Sequence, residues 1–234
     1  MALILLLETS TDVCSVALSK NGIVINIEES LEANTHTEKL TILIKQCLDG
    51  AGYSFKALDA VALSSGPGSY TSLRIGTATA KGICYAMGIP LITLSSLYIL
   101  ASGVDPSLLQ AQDVIISLID ARRMEAYAEV YDHNLNVLVP LHAIIFDEHS
   151  FAVFSGTKHL CGDGAEKFIE AYHQDTLKMH HNRTSAQYMA QPAERAYIDG
   201  KFSDVAYFTP EYFKVPSITK SEKTSIETSP SANF

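Results

Sequence analysis

The sequence predicts an α/β protein in which one order of strands and helices occurs twice. Three observations carry this. The chain opens on a continuous apolar run at 3–7 and continues with two alternating runs at 14–18 and 23–27. Apolar stripes at helical spacing then alternate with short strand-like runs. From Val114 onward the order of three strands first and helices after returns, without a residue-level repeat. At 234 residues there is ample chain to bury a core for such a fold.

The apolar run 3–7 stops at Glu8. It is too short to cross a membrane and lacks the positive flank of a signal peptide, so it reads as a buried strand. Residues 14–18 and 23–27 alternate around the hairpin signal Asn21-Gly22, giving three antiparallel strands. Thr35 and Glu38 stand at capping-box spacing before Leu40, Leu43, Ile44, Cys47 and Leu48, one stripe of a helix that Gly50 and Gly52 end. A short buried strand follows at 60–63, a tight loop at Gly66-Pro67-Gly68-Ser69, and a helix at 71–87. A strand at 90–94 and a short helix at 96–101 complete the first half. The second half offers strands at 114–119, 126–131 and 137–141, a polar turn at His133-Asn134, a glycine loop after Leu160 and a helix at 165–172. The expected organisation is a first lobe over 1–103, a second over 104–215 and a weakly ordered polar tail over 216–234.

Composition narrows the function. Apolar residues make up 47% and charged residues 18%, which excludes a disordered chain. Seventeen Lys and Arg against 26 Asp and Glu leave a charge of −9, unsuited to stand-alone binding of nucleic acid. Cys14, Cys47, Cys84 and Cys161 are far apart and form no CxxC pair, so buried reduced thiols in a cytoplasmic protein are expected. The eight histidines make no HExxH or i, i+4 pair. The adjacent His180 and His181 read as surface polar residues, and no metal site is expected. Ser64, Ser65 and Ser69 flank a strand-to-helix turn but have no identifiable base, so they read as capping and loop-satisfying hydroxyls. Gly66, Gly68 and Ser69 open a helix whose free amides favour phosphate. They are the candidate cofactor-binding loop, with a tight strand-to-helix connection as the equal alternative. Gly162-Asp163-Gly164 is a second such loop. Glu8, Asp12, Asp120 and Glu125 sit at strand ends or turns, either solvated or holding a cation through water. These residues by themselves identify no reaction.

Longer motifs do. Leu6-Leu7-Glu8-Thr9-Ser10-Thr11 followed by Ser15-Val16-Ala17-Leu18 resembles the opening hairpin of the actin-like, sugar-kinase and Hsp70 ATPase superfamily. The stretch from Ser64 to Gly76, SSGPGSYTSLRIG, with Ala80-Lys81-Gly82 after it, resembles the signature of the TsaB (YeaZ) family. Asp120-Ala121-Arg122-Arg123-Met124-Glu125-Ala126-Tyr127, Gly162-Asp163-Gly164-Ala165 and Pro210-Glu211-Tyr212-Phe213-Lys214 are similar to its later motifs, so the resemblance spans residues 3 to 214. It implies a two-lobed actin-like ATPase (ASKHA, ribonuclease H-like) fold with duplicated mixed-sheet lobes. It implies a noncatalytic scaffold in threonylcarbamoyl-adenosine modification of tRNA next to the anticodon. Such a scaffold binds the catalytic sister TsaD, helps recruit the ATPase subunit TsaE, forms a homodimer when isolated, and meets tRNA only through the complex. No membrane role and no resident cofactor beyond weak nucleotide binding are implied. The sister carries Asn-His-Leu-x-x-x-His, whose histidines bind a metal; here the segment falls on Ser95, Ser96, Leu97 and Leu100. Leucine has no donor atom and a lone serine is a poor ligand, which disfavours a glycoprotease-like metallopeptidase. A small ATP-dependent phosphotransferase is the other enzyme alternative, and it lacks an identifiable base.

The helix at 71–87 carries a partner expectation. At about 100° per residue, Leu73, Gly76, Ala80, Ile83, Cys84 and Met87 share one stripe that should pack on the first sheet. Thr71, Ile75, Ala78, Thr79, Gly82 and Ala86 gather on the other side without a charge, where a solvent face should be polar. With Ile42 of the preceding helix they form the expected partner interface, unless that helix covers them itself.

Overall fold

The computed structural model describes residues 2–32, 35–172 and 175–211. The expected tail over 216–234, and Tyr212, Phe213 and Lys214 of the closing motif, lie outside the described residues. The first half holds β1 (Leu3–Glu8), β2 (Cys14–Lys20), β3 (Ile23–Ser30), α1 (His36–Gly50), β4 (Ala60–Ser64), α2 (Tyr70–Met87), β5 (Leu91–Leu94) and α3 (Ser96–Ser102). After it come β6 (Val114–Asp120), β7 (Glu125–Asp132), β8 (Val137–Ile145), β9 (Lys158–Cys161), α4 (Asp163–Ala171), β10 (Leu177–His180) and α5 (Ala190–Ile198).

The strands form two five-stranded mixed sheets of one topology, β3-β2-β1-β4-β5 and β8-β7-β6-β9-β10. In each, the first three strands are an antiparallel meander, the fourth pairs parallel to the first and the fifth parallel to the fourth. The duplicated mixed-sheet α/β fold is therefore present. β1 is apolar throughout because both its faces are covered. Leu3, Leu5 and Leu7 point into a core with α1 and α2, while Ile4 and Leu6 meet Ala186, Met189, Ala190 and Ala193 on the other side. All five residues of the α1 stripe are buried, each stabilising the fold by about 2 kcal/mol. α3 lies between the sheets, with Ile99 in the core of the first and Leu97, Leu100 and Ala101 in a core of the second. The expected second lobe, 104–215, includes α5, yet the buried side chains of α5 lie against the first sheet.

Three local expectations are corrected. The capping box does not close: Thr35 sits at φ −98°, ψ 5°, away from extended cap geometry, and its hydroxyl donates to the Glu32 carbonyl at 2.7 Å. Met87 leaves the buried stripe and is 39% exposed, because the helix ends there at Gly88. His180 is half-buried rather than a surface residue, stacked on the fully buried His159. The four cysteines are free and buried, and burial pushes the Cys14, Cys47 and Cys84 thiols up to about 11 and Cys161 to about 12. Among the described residues no helix is long and apolar enough to cross a membrane.

Candidate functional site

The Gly66–Ser69 region meets the β1–β2 turn in intimate contact. A side chain at Gly68 would put Cβ 2.1 Å from the Ser10 carbonyl oxygen, and one at Gly76 would lie 2.2 Å from Thr9 Oγ1. Ser69 N–H donates to the Ser10 carbonyl at 2.7 Å, so this amide is committed to the protein's own backbone. Gly66, at φ +105°, faces the Glu211 carbonyl, and Glu211 N–H donates to Ser65 O at 3.0 Å. The glycines thus admit protein backbone where a phosphate loop admits a ligand. The nearby hydroxyls are used locally. Ser64 Oγ accepts from Thr9 N–H, Ser65 Oγ donates to Leu94 O, and Ser69 Oγ accepts from Ser72 rather than capping α2.

This clamp seals Glu8. Read from sequence as a turn carboxylate able to reach water, it is fully buried. Its Oε1 accepts from Ser10 N–H at 2.6 Å and Ser10 Oγ at 2.5 Å, and its Oε2 has no partner. Burial pushes the carboxyl up to about 7, against the opposing effect of the Ser10 hydrogen bonds.

Asp12, Asp163 and Glu166 line a cleft of about 320 Å³. It is walled by Thr11, Asp12 and Val13 from the β1–β2 turn, Gly162, Asp163 and Glu166 at the start of α4, and 181–184 after β10. Asp163 is exposed as a residue, but its carboxyl is pushed up by desolvation first and then by the Asp120 and Asp12 charges. Asp120 is paired with Lys167, whose Nζ also donates to the carbonyls of Arg123 and Glu125. The four carboxylates named from sequence are thereby separated: Glu8 is sealed, Asp12 lines the cleft, Asp120 pairs with Lys167, and Glu125 offers that lysine its backbone carbonyl. Among the described residues no three His, Cys, Asp or Glu are placed to hold a metal ion. Ser96 and Leu100, at the sister's ligand positions, are buried. The Ser96 hydroxyl is enclosed without a partner and Leu100 packs in the second core, so the pair does not fit a metal.

Sequence reasoning missed the most polar buried network. Asp113 accepts from Gln110 N–H (2.9 Å) and Thr157 N–H (3.0 Å), and lies 3.3 Å from His159 Nε2; His159 Nδ1 lies 2.8 Å from His180 Nε2. Burial raises the Asp113 carboxyl, but these bonds outweigh it and hold the group low. Asp113 and His159 are 46 residues apart, so no spacing links them.

On α2 the expected partner residues are open. Thr71, Ala78, Gly82 and Ala86 are exposed, Thr79 is half-buried, and a Cβ at Gly82 would meet nothing within 4 Å. Ile75 turns partly inward onto the first core. Ile42 of α1 is 51% exposed. Lys81, at the edge of this face, donates to the Ala206 and Phe208 carbonyls and ties the closing segment to α2.

Fold and site together define a class: an α/β protein of two like mixed sheets, with a carboxylate cleft and a long helix presenting a face of small residues, edged by Arg74 and Lys81, that is open among the described residues. The family model of TsaD, tRNA N6-adenosine threonylcarbamoyltransferase, matches residues 23–148. The tRNA threonylcarbamoyladenosine biosynthesis protein TsaB of Haemophilus influenzae is 38% identical over 124 residues, 53% of this chain and 51% of that one. TsaB of Escherichia coli is 33% identical over 133 residues, 57% and 56% of the two chains. The chain spans about half the length of the curated relatives it matches. The solved structure of YeaZ from Pseudomonas aeruginosa is similar over 91% of this chain and 100% of that one, with TM-score 0.76 and 25% identity. The chain belongs to the threonylcarbamoyltransferase family, in its TsaB (YeaZ) branch.

Proposed function

We propose that the chain is a noncatalytic accessory subunit for threonylcarbamoyl-adenosine modification of tRNA next to the anticodon, acting in the cytoplasm. It pairs with the catalytic sister TsaD, helps recruit the ATPase subunit TsaE, and reaches tRNA through that complex. In isolation it forms a homodimer through the same surface. The observation that carries this reading is the face of α2 that is open among the described residues. Ala78, Gly82 and Ala86 let a second helix approach closely, and Ile42 adds an exposed apolar contact from α1. The buried Ser96 and Leu100 support a role without a metal-centred reaction, and the backbone-filled Gly66, Gly68 and Ser69 loop supports one without a resident nucleotide.

The test is reconstitution from purified components. The chain with the sister, the ATPase subunit, tRNA and the small-molecule substrates should give modified tRNA, and omission of either the chain or the sister should abolish it. Ala78→Arg or Gly82→Arg should leave a folded monomer by sedimentation and circular dichroism, with capture of the sister weakened at least tenfold. Modification without the sister, or a variant that still dimerises and still captures the sister, would sink the reading.

A further inference from the structure

We infer that the β6–β7 turn is a second docking point, apart from the α1–α2 face, for an acidic segment of a protein partner. Five non-glycine residues among those described have left-handed φ: Asn21, Arg122, Arg123, Leu135 and Phe151. Asn21 (φ 56°) tolerates that backbone and, with Gly22 (φ 73°), makes the β2–β3 turn at little cost. Phe151 is buried with its ring 5.4 Å from Phe168, and Leu135 packs on a core of the second sheet, so burial offsets their strain. Arg122 (φ 72°) and Arg123 (φ 55°) have neither compensation. Both are exposed, and neither guanidinium is hydrogen-bonded or ion-paired among the described residues.

The turn is nevertheless fixed from beneath. Arg122 N–H donates to Asp120 Oδ1 at 2.8 Å, Glu125 N–H to Arg122 O at 3.3 Å, and Lys167 to Arg123 O at 2.9 Å. Strained backbone persists where its surroundings over-determine it, and such sites are commonly functional. Asn21-Gly22 is the strain-free solution to the same backbone problem, so the arginines serve something other than the turn. What surrounds them indicates what. Met124 is 39% exposed, and Ile145, paired with Glu125 across β7–β8, is 71% exposed. Arginine and methionine beside an aliphatic side chain are the composition of a protein interface, and the guanidinium fork matches a carboxylate. A contact of two carboxylates needs only the two guanidinium forks, whereas a nucleic-acid strand would carry its further phosphates past Asp120, Glu125 and Asp163 on a chain of charge −9.

The experiment uses the full chain and Arg122→Asn/Arg123→Gly, which installs the residues the backbone prefers. The probes are a synthetic peptide alternating Glu and Leu, and an oligouridylate of equal charge. The peptide should shift the amide resonances of residues 121–125 saturably, and the double variant should bind it at least tenfold more weakly. The variant should also melt about 3 °C higher, since strain is removed. Unchanged peptide binding in the variant, a lower melting temperature, or tighter binding of oligouridylate than of peptide would each overturn the inference. These readings need no other subunit, so a chain that failed to support tRNA modification would refute the accessory role and leave this test intact.

Discussion

The central strands of the two sheets end alike and are finished differently. Glu8 closes β1 and Asp120 closes β6, and each lies near a glycine loop that follows the fourth strand of its sheet. Both loops use glycine for close approach, Gly68 against Ser10 O and Gly162 against Leu118 O. In the first, Ser10 and the close approach of Gly68 close over the strand end, and the carboxyl is sealed from water. In the second, α4 and α3 cover the two faces of the sheet, but Asp120 lies past the buried stretch of β6 and keeps solvent and a lysine partner. A shared topology therefore fixes where a carboxylate stands, while the contacts at the strand's end decide whether water reaches it.

The largest expected effects break the close approaches themselves. Gly68→Ala and Gly162→Ala each drive a methyl to within 2.1 and 2.2 Å of a carbonyl oxygen. Each should lower stability by about 3 kcal/mol in urea unfolding, with Gly162→Ala the worse because its φ of +98° adds strain. If Gly68→Ala melted like the parent, the seal over Glu8 would be looser than the contact implies.

The next effect contrasts the two strand-end carboxylates. Glu8 is raised from its ordinary 4.5 to about 7, so its neutral form favours the fold. That contribution is complete below pH 4.5 and is lost as pH rises through about 7. Glu8→Gln keeps an acceptor and removes the charge. It should stabilise the protein by on the order of 3 kcal/mol at pH 8 and change little at pH 4. Asp120→Asn, at a solvent-open ion pair, should cost less than about 1 kcal/mol at any pH. Equal pH profiles for the two variants would refute the sealed-against-open distinction.

Much of this architecture was legible in the sequence because period and breakers are local. The three-strand openings of both halves, the α1 stripe and the glycine loops follow from spacing alone. α5 escaped because Pro192 reads as a breaker, although proline is tolerated in a first turn. Its signal was present in Ala186, Met189, Ala190 and Ala193, spaced i, i+3, i+4, i+7. β10 is four residues long and half-exposed, too short to show a period. The sealing of Glu8 depends on Gly68 and Gly76, some sixty residues away, and the buried contact of His159 on Asp113, so neither could be read locally. The capping box failed in the opposite way: the motif is present, and the backbone at Thr35 does not serve it.

A smaller pH effect belongs to the second sheet. His180 is held low by burial first, then by His159, Lys178 and His181, and Asp113 contacts the far nitrogen of His159. The unfolded chain therefore takes up this proton more readily than the folded one. Stability should be complete above about pH 6.5 and fall as pH drops toward the lowered folded value. Doubly protonated rings would also set N–H against N–H across the 2.8 Å contact. His180→Gln should flatten the melting curve between pH 5 and 7 and leave the alkaline limb, governed by Glu8, unchanged. An identical acid limb in the variant would place the sensitivity elsewhere.

The smallest effect sharpens the contrast within α2, where two glycines six residues apart do opposite things. Gly76 faces Thr9 and cannot take a methyl without displacing it, whereas Gly82 faces open space. In an isolated monomer Gly82→Ala should therefore raise stability by about 0.5–1 kcal/mol, the ordinary gain in an exposed helix interior. The same methyl stands where a partner helix must come close. Self-association should weaken by severalfold although the monomer is more stable, and the two changes can be read from one concentration series of thermal melts and sedimentation runs. A gain in monomer stability with unchanged association would show that no helix packs closely on Gly82, and the interface would then lie toward Ile42 or off this face.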